Sequence, residues 1–324
     1  MKRRDTLVAL LALGMAASAR SALAESPRRI GVLLVTAKCP APRELVNSLA
    51  ALGWMEGRTI TFDCVSAVDR LDEIPSLASA LVARRPDVIV SGLLPAIRSL
   101  KAATTTIPIV ALGLADPVGE KLIVSLARPG GNLTGFVSVM LELEEKRVEL
   151  LKQILPRMTR LAAIYRQGGE PSYYAAIDRI LTRLDGVHGI QHERFYYQRT
   201  GDIRKVLEEI AAKRFDAVYF PPGPLTETIP EVVAGEARKL RLPVTGQGSK
   251  FADAGALFTY SPDTAHVAQL GASYVDRILR GARASDLPFQ QPSKFELVVN
   301  LRTAKALGVT IPHIVLLRAD RVIE

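Results

Sequence analysis

The residues on which protein chemistry most often depends are sparse in this chain. Four histidines occur, His188, His192, His266 and His313. Only His188 and His192 are close in sequence, and Gly186 and Gly189 argue against a helix that would put both on one face. The pair therefore reads as two surface histidines and not as a metal-binding pair. Cys39 and Cys64 are the only cysteines, and neither has a second cysteine or a histidine at ligand spacing. The chain has no G-x-x-x-x-G-K-[ST] loop, G-x-S-x-G elbow or H-E-x-x-H helix. Gly246-Gln247-Gly248 lacks the third glycine of a dinucleotide fingerprint. With no nucleophile and base, no metal cluster and no phosphate cradle, the expected activity is binding, without catalysis and without a cofactor.

What remains is a set of polar residues placed just past apolar, β-branched runs. In open α/β sheets such strand ends are where ligands collect. Thr36, Asp116, Ser138, Arg166, Gln167 and Gln247 occupy such places, and Tyr260 lies in a later extended run. Asp116 has two readings: a ligand or cross-cleft partner, or a cap before Pro117 at the start of a helix. Ser138 would donate to a ligand oxygen or satisfy the backbone. Arg166 would fix a solute or stand exposed, and Tyr260 would stack on a ligand or pack in a hinge. Trp54 lies away from the strand ends, and packing explains it better.

The elements that must position these residues alternate. Short runs at Ile30 to Val35, Thr59 to Val65, Val88 to Ser91 and Ile107 to Leu112 read as strands, mostly continuous and apolar, as in a sheet covered on both faces. Helical segments lie between them at Arg43 to Leu52, along the stripe Leu71, Ile74, Leu77, Leu81 and Val82, and at Pro95 to Ala103. The alternation restarts with strands at Leu161 to Tyr165, Gln191 to Tyr196, Ala217 to Phe220 and Leu242 to Thr245. Helices are expected at Glu142 to Leu155, Tyr173 to Leu184, Ile203 to Lys213 and Thr226 to Leu240. A further helix, Asp263 to Arg280, with Val267, Leu270, Tyr274, Ile278 and Leu279 on one face, and an extended run, Phe295 to Asn300, complete the pattern. This predicts an α/β chain of two lobes, residues 25–133 rejoined by about 261–290, and 134–260 rejoined by about 291–324. Three connecting segments would form the hinge.

The beginning of the chain bears on compartment. Lys2, Arg3 and Arg4 lead into an apolar run from Leu7 to Ala17 and then into Ala22-Leu23-Ala24. That order is a secretory signal peptide, cleaved after Ala24, with an apolar run too short to span a bilayer comfortably. The Arg3-Arg4 pair leaves general and twin-arginine export both open. We expect a periplasmic monomer. The formal charge of +9 includes Lys2, Arg3, Arg4 and Arg20 against Asp5, so +6 stays on residues 25–324. These charges are scattered along amphipathic segments, which argues against nucleic-acid binding. An oxidising compartment permits a Cys39–Cys64 disulfide, but the spacing leaves open whether it forms.

Four segments, LGWMEGRTITF, AATTTIPIVALGLADPVGEKLIVSLARPGGNLTGF, KRVELLKQILP and VVNLRTAKALGVTIP, occur in this order. Together they resemble the ABC-transporter substrate-binding protein family that includes the tryptophan-binding TrpX-type receptors, over essentially the whole chain past the leader. The resemblance implies a type I periplasmic-binding-protein fold, two Rossmann-like lobes joined by three crossover strands. It also implies capture of a small-molecule solute between them and delivery to an inner-membrane ABC permease. A sensor of the same fold that reports to a signalling receptor is the rival, and a repressor of this fold would need a helix-turn-helix where the leader stands. The TrpX-type members carry a Thr-Asp-Asn group after the strand that ends here at Phe220, and Pro221-Pro222-Gly223-Pro224 replaces it. Leu94 replaces the threonine before Pro95. Leu94, Pro95 and Pro222 thus stand at implied cleft positions where polar groups are lost, which favours an aromatic or carboxylate-bearing solute over an amino-acid zwitterion.

Overall fold

The computed structural model describes residues 26–35, 38–67, 70–167, 171–221 and 229–324, with Met140, Pro171 and Ser172 described by backbone alone. The expected leader, Thr36 and Pro222 lie outside these residues.

The first sheet is parallel, in the order β2-β1-β3-β4-β5. Its strands are β1 (Arg28–Leu34), β2 (Ile60–Ser66), β3 (Val88–Ser91), β4 (Ile109–Leu114) and β5 (Leu133–Val137). Helices α1 (Arg43–Ala51), α2 (Ile74–Ala83) and α3 (Leu94–Ala103) link them. Every residue of β3 is buried, as a central strand with helices on both faces requires. The expected stripe on α2 does pack as one cluster with β1, β3 and β4, although Leu71 sits in a preceding 3-10 turn.

The second sheet has the order β12-β11-β10-β9-β8-β6-β7. Its strands are β6 (Arg160–Arg166), β7 (Gln191–Tyr197), β8 (Ala217–Tyr219), β9 (Val244–Gly246), β10 (Phe258–Pro262), β11 (Phe295–Asn300) and β12 (Arg321–Ile323). All neighbours are parallel except β10 and β11. The remaining helices are α4 (Met140–Ile154), α5 (Pro171–His188), α6 (Ile203–Ala212), α7 (Pro230–Lys239), α8 (Ser249–Ala254), α9 (Thr264–Leu279), α10 (Leu301–Leu307) and α11 (His313–Leu316).

The chain passes between the sheets three times. It leaves β5 for α4, which packs on α5 and β10, and returns from β10 into α9, which packs on α1 and β4. It then crosses beside Gln290, which bridges Phe136, into β11. β5 stays with the first sheet to Val137, so the first passage starts past the 133/134 junction expected from sequence.

Several expectations need correction. β4 begins two residues late because the Ile107 carbonyl and amide are held by Asn132 and Thr104 side chains. β9 also starts late, since the Leu242 amide closes the end of α7 on the Ala237 carbonyl. The buried face of α9 runs through Ala268, Gly271, Ala272, Tyr274, Val275 and Ile278, leaving Val267 and Leu270 half-exposed. Small residues let this helix lie close: a side-chain carbon at Gly271 would come within 2.7 Å of Leu112. Gly186 lies inside α5 and His188 ends it, because packing of the helix outweighs the propensity cost of a glycine. His192 is not a surface residue. Its Nδ1 lies 2.6 Å from Asp185 Oδ2, between β7 and α5.

Cys39 and Cys64 form a disulfide across a Cα separation of 5.9 Å, joining the loop after β1 to the neighbouring edge strand β2. Trp54 packs on the lobe as expected, donating from Nε1 to Asp276 Oδ1 at 2.8 Å.

Candidate functional site

Parallel strands feeding helices place every loop that follows a strand at one end of its sheet. In the first sheet the loop after β3 holds Leu93 at φ 66°, a region that residues with side chains seldom adopt. Leu93 is also the N-cap of α3 and offers no side-chain hydrogen bond. Leu94 is half-buried against the lobe core and Pro95 is exposed.

Asp116 follows β4, and Ser138 follows the adjacent β5, with the Ser138 amide donating to the Leu114 carbonyl at 2.8 Å. The structure thus brings these two candidates to neighbouring strand ends. Asp116 is exposed and its Oδ1 accepts from the Gly119 amide at 2.7 Å. It caps a turn over residues 117–120 where a helix start was expected.

The motif carrying the sequence resemblance proves largely architectural around this point. Gly119 leaves room for the Asp116 carboxylate, which any side-chain carbon there would overlap. Asn132 Nδ2 donates to the carbonyls of Thr104 and Ile107. Thr134 Oγ1 donates to the Leu287 carbonyl at 2.7 Å, and Gly135 presses its Cα against the Ala111 carbonyl.

In the second sheet Arg166 ends β6 and Gln167 follows it, both fixed through their backbone amides. The Arg166 amide donates to Tyr174 Oη at 3.2 Å and the Gln167 amide to the Tyr197 carbonyl at 2.8 Å. The two side chains open onto a groove of about 870 Å³ between α5 and the edge strand β7. Arg166 is half-buried and not simply exposed, and its Nε is buried without a hydrogen-bond partner. Gln247 follows β9 and precedes Gly248 at φ 82°. Gly246 cannot carry a side chain, because its carbon would lie 2.8 Å from both the Phe220 carbonyl oxygen and the Phe251 ring.

Tyr260 lies next to Gln247 across the sheet, since Thr259 pairs with Gly246. Its ring is half-buried, 6.0 Å from that of Phe295, and its carbonyl accepts from Arg147 Nε at 2.7 Å. The hinge-packing reading of this tyrosine accounts for what it touches.

Arg147 belongs to a centre that the sequence reading missed. Glu144 and Arg147, both 0% exposed, form an ion pair at 2.9 Å beneath β10. Tyr173 Oη donates to the same Glu144 oxygen, while Glu144 Oε2 and Arg147 Nη2 have no partner. Burial pushes the Glu144 carboxyl up to about 7, against the lowering pull of the Arg147 charge. The available signal was two charges inside the apolar stripe of α4, at the spacing of Val148, Leu151 and Ile154. Among the described residues no group of three or more His, Cys, Asp or Glu could hold a metal ion, and no helix is long and apolar enough to cross a membrane.

The chain matches the ABC transporter substrate binding protein family over residues 41–323. It is 24% identical over 278 residues to a tyrosine-binding protein of Clostridioides difficile (strain R20291), covering 83% of this chain and 76% of that protein. Among solved structures it is similar to a conserved domain protein from Vibrio cholerae, with a TM-score of 0.81 at 29% identity, covering 92% of this chain and all of that one. An ABC domain from Streptococcus pneumonia in complex with L-Trp superposes with a TM-score of 0.79 at 23% identity, again over 92% of this chain and all of the other. The fold is that of the type I periplasmic binding proteins, as the sequence resemblance implied. The chain belongs to the ABC transporter substrate-binding protein family.

Proposed function

We propose that this protein is the exported solute-binding component of an ABC importer, cleaved after Ala24 and working as a periplasmic monomer with an inner-membrane permease. Its two lobes are residues 25–137 rejoined by about 261–290, and residues 138–260 rejoined by about 291–324, a division that keeps β5 whole. The solute is a small organic molecule, aromatic or carboxylate-bearing, held between Asp116 and Ser138 on one lobe and Arg166, Gln167, Gln247 and Tyr260 on the other. Leu94 and Pro95 complete the wall on the first lobe.

The observation that supports this most is that the sheets bring the candidates together in pairs. The Ser138 amide donates to the Leu114 carbonyl, which sets Ser138 beside the strand end that leads to Asp116, and Thr259 pairs with Gly246, which sets Tyr260 beside Gln247. Strand ends of open α/β sheets are where ligands collect. The relatives that bind tyrosine or hold L-Trp are consistent with an aromatic body. Contacts made to both lobes only when they close would shift the open–closed equilibrium, and the closed form would be what the permease meets.

A thermal-shift screen of aromatic acids, amino acids and other small metabolites tests this directly, because a ligand that binds only the folded state raises the melting temperature. A hit abolished by Gln247→Ala supports the reading. Hits indifferent to every strand-end substitution on both lobes would overturn it.

A further inference from the structure

The groove between α5 and β7 lies along the outer edge of the second sheet. Its α5 wall is built from pairs one turn apart, among them Tyr174, Asp178 and Arg179, and its opposite wall comes from Arg194 and Tyr196 on the edge strand, with Arg166 at one end. Its charges do not cancel locally. Asp178 has both oxygens engaged, Oδ1 by Tyr165 Oη at 3.0 Å and Oδ2 by Arg194 at 2.9 Å. Arg183 is taken by Glu145 at 2.6 Å. Among the described residues no carboxylate pairs with Arg166 or Arg179, and the buried Arg166 Nε has no acceptor.

We propose that this groove is a second binding site, adjoining the cleft between the lobes at Arg166 and Gln167, for a flat organic dianion such as an aromatic dicarboxylate. A buried cationic donor without an acceptor is costly, and a ligand carboxylate removes that cost through charge-assisted hydrogen bonds. Two guanidinium groups call for two acidic groups, and the Tyr174 and Tyr196 rings supply faces for a planar body. The volume is within the range of small-ligand sites. The groove shares Arg166 and Gln167 with the proposed cleft site, whereas Arg179 and Arg194 line the groove alone, so Arg179→Glu and Gln247→Ala separate the two readings.

Phthalate is a suitable probe, with dimethyl phthalate as its uncharged counterpart. Calorimetry on the full mature chain is expected to show saturable phthalate binding and none of the diester. Arg179→Glu alters an exposed side chain and should weaken phthalate at least about tenfold. Arg204→Glu, an equal charge change on α6 where Arg204 pairs with Glu208, should leave it unchanged, as should Gln247→Ala at the cleft. No saturable binding, equal weakening by Arg179→Glu and Arg204→Glu, or loss in Gln247→Ala with retention in Arg179→Glu would each overturn the proposal.

Discussion

Arg147 Nε donates to the Tyr260 carbonyl at 2.7 Å, which ties the helix entered by the first passage between the sheets to the strand that leaves by the second. The same guanidinium holds Glu144 at 2.9 Å with both side chains fully buried. A hinge of three segments thus has two of them joined at their roots by one charge.

Removing that charge alone should be severe. Arg147→Ala leaves a buried carboxylate without its counter-ion, and we expect a loss of about 3–5 kcal/mol in unfolding free energy. Replacing both residues with apolar side chains of similar size should recover most of it, because the pair was itself expensive to bury. Urea unfolding of the single and double variants decides the matter, and a double variant no better than the single would count against it.

Glu144 also makes stability depend on pH. Burial raises its carboxyl from 4.5 to about 7 in the native state, so between these values the native chain holds a proton that the unfolded chain has lost. The stabilising effect is complete below the unfolded value, falls as pH rises, and is gone above about 7, with a size of about 3 kcal/mol. Glu144→Gln cannot titrate, so its urea midpoint should vary less over this window than that of the parent protein. Identical pH profiles would exclude Glu144 as the source.

How much of this was readable beforehand follows the physics of each signal. Alternating strands and helices are local patterns and placed most of the elements, but β5, β12, α8, α10 and α11 were not foreseen, α5 runs four residues past the expected Leu184, and α7 starts four residues past the expected Thr226. The close approach of α9 was not readable, because a stripe of Ala and Gly carries no hydrophobic signal of its own, and its meaning depends on Leu112 arriving from a distant strand. Asp116 and Ser138 could be placed at strand ends, since a parallel sheet fixes where loops go. Arg179 and Arg194 could not be paired, because the groove between them exists only once α5 lies over β7.

The disulfide closes a loop of 25 residues, for which restriction of the unfolded chain contributes roughly 3 kcal/mol. Reduction should therefore lower the urea midpoint, and Cys39→Ser with Cys64→Ser should behave like the reduced protein. Two titratable thiols in protein unfolded without reductant would show that the bond is not made.

Gly135 should be less replaceable than the exposed Asp116 beside it in the same motif. At φ 141° a side-chain carbon overlaps the Ala111 carbonyl, so Gly135→Ala must separate β4 from β5 and is expected to cost about 3 kcal/mol or more. Asp116→Ala loses one capping hydrogen bond to the Gly119 amide, about 1 kcal/mol. Thermal unfolding of the two variants measures the contrast, and equal losses would refute the assignment of this motif to architecture.

The last expectation concerns the solute. Past β8 the chain reads Pro221-Pro222-Gly223-Pro224, and proline supplies neither a backbone donor nor a carboxylate. Leu94 likewise offers the cleft no polar group. The resemblance to the TrpX-type receptors implies that the segment past β8 meets the solute, and an α-ammonium buried there without a partner costs several kcal/mol, or orders of magnitude in affinity, unless it reaches Asp116. We therefore expect L-tryptophan and L-phenylalanine to bind at least about tenfold more weakly than their deaminated acids, whose carboxylate can meet Arg166 or Gln247. Calorimetry with each pair of compounds is the measurement. Sub-micromolar tryptophan binding that survives Asp116→Ala would mean that another group receives the ammonium, and that the substituted wall does not decide which solute is taken.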